Sequence, residues 1–193
     1  LYITDESIRE MERRYGVPDE VRREYEMTGR EFDMVSRSRK HGRSHDVTLF
    51  IIDNDSIVVI KKPMYPPGAY RAPSGGIAPG EDFEAGALRE AYEETGLHVA
   101  IEKYILRAFV RFTHQIDAID WTTHVFSARP CGGALQPIDT HEIVEARLAT
   151  VEELTGSIRE VLLKTESTGL RYRAELGDIV LNRLIEMGAI SKR

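Results

Sequence analysis

The chain has 193 residues, 41% hydrophobic and 30% charged, a balance that suits one globular domain with a core large enough to need neither disulfide nor structural metal. Lysine and arginine total 26 against 32 aspartate and glutamate, and the resulting net charge of -6 argues against nucleic-acid binding through a generic basic face. Cys131 is the lone cysteine, no run approaches the roughly 18 apolar residues of a membrane span, and the first residues lack a signal peptide's basic and apolar regions, so the expected setting is the reducing cytoplasm, away from membranes.

The first 30 or so residues read as two short helices. Thr4 or Asp5 can cap the first, Ile8, Met11 and Tyr15 recur at helical spacing, and Gly16 stands where a left-handed cap belongs. Pro18 opens the second, with Val21, Tyr25, Thr28 and Phe32 as a thin apolar stripe. A stripe so narrow must dock on the main domain or on a second subunit, which makes residues 1–45 a helical extension to a main domain of residues 46–193 and raises a homodimer as one outcome. Arg37, Arg39, Lys40, His41, Arg43 and His45 then form a basic stretch, readable as a solvated loop or as a rim that draws phosphate toward an acidic site.

Residues 47–62, Val-Thr-Leu-Phe-Ile-Ile and then Ser-Ile-Val-Val-Ile on either side of Asn54 and Asp55, read as a β-hairpin with a tight turn. An irregular loop rich in proline follows, then a helix over 83–95, strands near 99–112 and 122–128, a break at Pro130, Gly132, Gly133 and Pro137, a strand over 143–148, a helix opening near 151, and a terminal helix over 172–187 ending at Gly188. Mixed strands and helices in this order predict a layered α/β or α+β domain.

One segment carries chemistry: Gly75-Gly76-Ile77-Ala78-Pro79-Gly80-Glu81, seven residues, then Arg89-Glu90-Ala91-Tyr92-Glu93-Glu94-Thr95-Gly96-Leu97. At 100° per residue Glu90, Glu93 and Glu94 share an arc, with Ala85, Leu88, Ala91, Tyr92 and Thr95 opposite. That cluster is locally unfavourable, because Glu90 and Glu94 are like charges at i, i+4 and all three carboxylates sit at the negative end of the helix dipole. A solvated acidic face is one reading. A hard divalent cation such as magnesium, which takes oxygen ligands and keeps open positions, would turn both penalties into binding energy. Arg89 lies one turn before Glu93 and can hold it by an i, i+4 pair.

The spacing Gly75, five residues, Glu81, seven residues, Arg89-Glu90, an aliphatic slot, one residue, Glu93-Glu94, one residue, Gly96-Leu97 resembles the complete Nudix box of the Nudix hydrolases, with Ala91 a small occupant of the first aliphatic slot. The resemblance covers residues 75–97. It implies an α/β/α sandwich around a mixed sheet, and hydrolysis of a nucleoside diphosphate linked to another moiety with Mg2+ or Mn2+. It further implies Glu90, Glu93 and Glu94 as metal ligands, the Ser74 carbonyl completing the shell, one glutamate or a later acid as general base, and Arg89 orienting a glutamate. Glu142 and Glu145 are candidates for that later acid, with His114 and Asp120 as second choices. Lys61, Lys62, Arg71 and the basic run including Arg43 are candidates to meet the phosphates of this nucleotide-derived substrate, and Tyr65, Tyr70 or Trp121 could stack on a base. No subgroup signature beyond the box assigns the substrate. A nucleotide-binding or regulatory module of the same fold, without turnover, is the other reading.

Overall fold

The computed structural model describes residues 3–39 and 42–191; Lys40 and His41 of the basic stretch lie outside them. Its elements run α1 Asp5–Tyr15, β1 Asp19–Glu26, α2 Gly29–Ser38, β2 His45–Asp53, β3 Ser56–Lys61, β4 Ser74–Gly75, α3 Phe83–Thr95, β5 Leu97–His114, β6 Asp117–Gly133, β7 Glu145–Thr150, α4 Val151–Thr155, α5 Ser157–Lys164 and α6 Thr168–Glu186. The strands form one mixed sheet in the order β1-β5-β6-β2-β3-β7, with β4 added to β2. No helix among the described residues is long and apolar enough to cross a membrane.

Strand β2 explains why the sheet is covered on both faces. Its Val-Thr-Leu-Phe-Ile-Ile run is apolar on both alternations, as buried central strands require. Val47, Leu49 and Ile51 meet α1 and α3 through Met11, Phe83, Ala87 and Ala91, while Phe50 and Ile52 belong to the core built with Leu176, Val180 and Leu184 of α6. The result is the expected α/β/α sandwich.

The free edge of β2 is shared. Its far end pairs with β3 at Ile52–Ile57, whereas its near end pairs with β4 at Val47–Gly75 and Thr48–Ser74. Arg71 exchanges backbone hydrogen bonds with Ile60 of β3. Residues 71–75 therefore run as a seam between β2 and β3, and they deliver the glycine-rich loop to α3.

The N-terminal expectation is corrected in part. Thr4 caps α1 with a full capping box, but residues 19–26, expected as a helix, are a strand paired in parallel with β5. A spacing of four residues serves both periods: Val21 and Tyr25 share a helix face and equally a strand face. Gly16 decides between them, since its φ of 89° comes with an extended ψ of 162° and sends the chain into strand geometry. The helix anticipated there begins at Gly29, and Val21, Tyr25, Phe32 and Val35 dock on this chain's own core. The last strand also starts at Glu145, two residues later than expected.

Candidate functional site

The site begins at the loop before α3. Asp82 caps the helix by accepting the N–H of Ala85, and Gly96 closes it in the left-handed conformation (φ 76°). Between these caps Arg89 reaches back across the loop. Its Nε and Nη2 donate to the two oxygens of Glu81 at 2.8 and 2.9 Å, Nη2 also to the Gly76 carbonyl at 3.0 Å, and Nη1 to Glu90 and Glu93 at 3.0 and 2.8 Å. All five guanidinium N–H groups are thus engaged in a fork that lysine cannot reproduce. Glu81 accepts the N–H of Ala78 as well, and the hydrogen bond from Arg89 holds its carboxyl below the usual range.

Glu94 behaves differently. The helical wheel placed it on an open acidic face, yet it is buried, while Ala85 and Tyr92 of the supposed packed face are exposed. The seam accounts for this: the Ser74 N–H donates to Glu94 Oε2 at 2.7 Å, and Arg71 Nη2 and Lys62 Nζ lie 3.5 and 3.9 Å from Oε1. The carboxylate is taken inward by cations and a backbone donor that helix periodicity does not see.

Arg71 is buried, and its donors go to Tyr65 Oη (2.8 Å), the Ala72 carbonyl (2.7 Å) and Ser74 Oγ (2.7 Å). Expected to meet phosphate, it instead braces the seam and Glu94. Lys62 joins Glu142 at 2.7 Å and so brings that acid beside Glu94. Glu145 accepts from the Tyr70 hydroxyl at 2.7 Å, and Arg147 covers the Tyr70 ring at 4.4 Å, so this pair stands to one side. Arg43 lies against Gly76, where an added Cβ would come within 2.2 Å of its guanidinium carbon. Trp121 is buried with its indole N–H on Asp46, and the Tyr65 hydroxyl accepts from Arg71. His114 bonds the Met27 carbonyl at 3.0 Å, and Asp120 pairs with Arg111; neither approaches the glutamates through these contacts.

With the side chains so arranged, no group of three or more His, Cys, Asp or Glu among the described residues is poised as a cation cage. Arg89 and Arg71 stand among the carboxylates as their counter-charges. The room and the donors are nonetheless particular. Glu90 folds onto Gly75 so closely that a Cβ there would come within 1.9 Å of its carboxylate, and burial pushes the Glu90 carboxyl up against the opposing pull of Arg89. Glutamate oxygens crowded against a glycine are a hard donor set that fits magnesium or manganese once the arginines yield.

Glu81 is the participant whose role spacing concealed. Seven residues lie between it and Arg89, with the helix start among them, so no periodicity links the pair; only its fixed place in the motif marks it.

A sequence model of the NUDIX domain matches residues 42–168. The chain belongs to the Nudix family. Among curated proteins, this Nudix chain is 39% identical over 56 residues to Nudix hydrolase 25 of Arabidopsis thaliana, covering 29% of this chain and 32% of that one. It is 27% identical over 133 residues to the NAD-capped RNA hydrolase NudC of Stutzerimonas stutzeri (strain A1501), covering 69% and 44%. The chain thus spans less than half the length of these curated relatives. Among solved structures, a NUDIX hydrolase from Nitrosomonas europaea aligns with a TM-score of 0.52 at 20% identity, over 74% of this chain and 70% of that one. The Bacillus subtilis pyrophosphohydrolase BsRppH aligns with a TM-score of 0.52 at 19% identity, over 77% and 85%. At these identities the likeness is one of fold.

Proposed function

We propose that this Nudix protein is a pyrophosphohydrolase that uses Mg2+ or Mn2+ to cleave a nucleoside diphosphate linked to another moiety. The observation that supports the reading most is the Arg89 fork, which gathers Glu81, Glu90, Glu93 and the Gly76 carbonyl around one guanidinium. Glu90, Glu93 and Glu94 are the residues that would hold the metal, with the Ser74 carbonyl beside them. A bound divalent cation supplies charge neutralisation to the phosphates and lowers the pKa of a water.

The chain's own groups do the rest. Arg89 fixes the directions of Glu90 and Glu93, so carboxylates that would otherwise repel converge on one place. Arg71 and the Ser74 N–H fix Glu94. Glu142, held by the same Lys62 ammonium that lies 3.9 Å from Glu94, is the later acid we assign to take a proton from the attacking water. Lys62 and Arg43 offer positive charge at the rim, where a pyrophosphate would otherwise meet only carboxylates.

The deciding experiment incubates the protein with a panel of nucleoside diphosphate derivatives, with Mg2+ or with chelator, in heavy-oxygen water, and reads products by mass. Metal-dependent release of a phosphate product carrying the label supports the reading; label on a sugar carbon, or no turnover on any member, refutes it.

A further inference from the structure

A groove of about 760 Å³ crosses the sheet beside the site, and its lining departs from the acidic character of the chain. Arg22, Arg23, Arg39 and Arg111 stand along it against two acids, Glu24 and Asp120, so its walls carry a surplus of two positive charges in a chain of net charge -6. Among the described residues neither Arg22 nor Arg39 has an acid within ion-pair distance, whereas Arg111 is bound to Asp120 at 2.8 Å. A whole-chain sum hides such a local surplus.

Two features make the groove more than a basic patch. The first is order. Arg22 of β1 is level with Phe109 of β5 in the parallel register, and its guanidinium rests 4.4 Å from the ring centroid, so the ring presents a flat cation held in one place. The second is reach. The lining runs from β1 over β5 and β6 to Ser44, the residue just before β2, about 14 Å at roughly 4.8 Å per strand, longer than a single phosphate needs. Ser44 follows Arg43, whose guanidinium lies against Gly76 of the glycine-rich loop, so the groove leads away from the candidate active site.

We propose that this groove binds a single-stranded polynucleotide, its phosphates met by Arg22, Arg39 and the neighbouring arginines. The direction of the strand, with its terminal pyrophosphate toward Gly76, rests on the function proposed above; the binding itself does not. Periodic phosphates match cations spaced along a path, and an arginine lying on an aromatic ring offers a face on which a base can stack.

The test is fluorescence anisotropy of the full chain with labelled ten-nucleotide oligouridylate. With about three phosphates neutralised, the logarithmic salt slope should be near -2, an affinity loss of about 20-fold between 50 and 200 mM salt. Arg22→Gln with Arg23→Gln should weaken binding at 50 mM salt at least tenfold and flatten the slope, while turnover of a small nucleoside diphosphate derivative stays at the wild-type level. Arg39→Gln alone, on an exposed residue, keeps the test open should the double variant fail to fold. Absence of saturable binding at 50 mM salt, equal affinity in the variants, or displacement of the oligonucleotide by polyglutamate as readily as by unlabelled oligonucleotide would overturn the proposal. If oligonucleotide binds as expected while no pyrophosphate derivative is turned over, the groove stands and the proposed function falls.

Discussion

The backbone N–H of Ser74 donates to the buried carboxylate of Glu94 at 2.7 Å, and this bond fastens the helix that carries the glutamates to the seam between β2 and β3. Movement of either element is movement of both. Arg71 completes the fastening from behind, touching Ser74 through Oγ and facing Glu94 at 3.5 Å.

Arg71→Met should therefore act on geometry and not on substrate affinity. It leaves Glu94 without its buried partner, at an expected cost of about 3–5 kcal/mol in urea unfolding. In steady-state kinetics kcat should fall with KM nearly unchanged, and Arg71→Lys should recover part of the stability. A raised KM at normal kcat would return Arg71 to the role of a phosphate ligand.

Glu93→Gln tests the metal shell with the least disturbance, because Glu93 is half exposed and its partner is Arg89. Turnover should fall at least 100-fold with the melting temperature close to wild type. Glu94→Gln should lose as much turnover and in addition melt lower, since Arg71 and Lys62 lose their charge partner.

Gly75→Ala should damage activity through Glu90. The added methyl would sit within 1.9 Å of the Glu90 carboxylate, so that side chain must leave its place. The expected result is a fall in kcat of tenfold or more with circular dichroism unchanged. Wild-type kcat would mean that the position of Glu90 is unimportant.

Metal should stabilise the protein. A cation that binds only the folded state adds RT ln(1 + [L]/Kd), about 2.7 kcal/mol at 100 times the dissociation constant. Millimolar Mg2+ or Mn2+ should raise the melting temperature, and Glu93→Gln should shrink that rise. An identical shift in the variant would place the cation elsewhere.

Acid should destabilise the fold through a buried histidine pair. His124 is buried against Tyr104, and its Nε2 lies 2.9 Å from His45 Nδ1. Burial, aided by repulsion from His45, lowers the His124 pKa from 6.5 to about 3. Between those values the unfolded chain takes up a proton that the folded chain refuses, so stability is present above pH 6.5 and is lost as pH falls toward 3. From pH 7 to pH 5 the loss from His124 is about 2 kcal/mol, readable as a drop in the urea midpoint. His124→Gln should flatten that dependence; a midpoint just as sensitive to pH in the variant would assign the loss to other groups.

The legible parts of this molecule are those in which local signals agree. Helix α3 lies over residues 83–95 as expected because Asp82 and Gly96 mark both ends, and the β2–β3 hairpin turns at Asn54 because two apolar β-branched runs flank a short Asn-Asp turn signal. The Arg89–Glu93 pair followed from helical spacing alone. What stayed hidden depends on partners distant in sequence. The burial of Glu94 is imposed from residues 62, 71 and 74, and the strand at 19–26 exists because β5 offers it an edge. Neither partner leaves a trace in the local pattern, and Val21 with Tyr25 satisfies both periods at once.

That parallel pairing also sets an order of events. Asp19 of β1 stands opposite Leu106 of β5, and Glu26 opposite Thr113, so each residue of the strand waits for a partner 87 positions further along. At the usual pace of synthesis, about 5–20 residues per second, β1 leaves the ribosome several seconds before the edge it will join. Its backbone donors are unclaimed throughout that interval. The charges of Asp19, Glu20, Arg22, Arg23, Glu24 and Glu26, which make it a poor strand to the eye, are then what keeps it from pairing with another nascent chain. A sequence too polar to announce a strand is well suited to one that must remain solvated until its partner arrives.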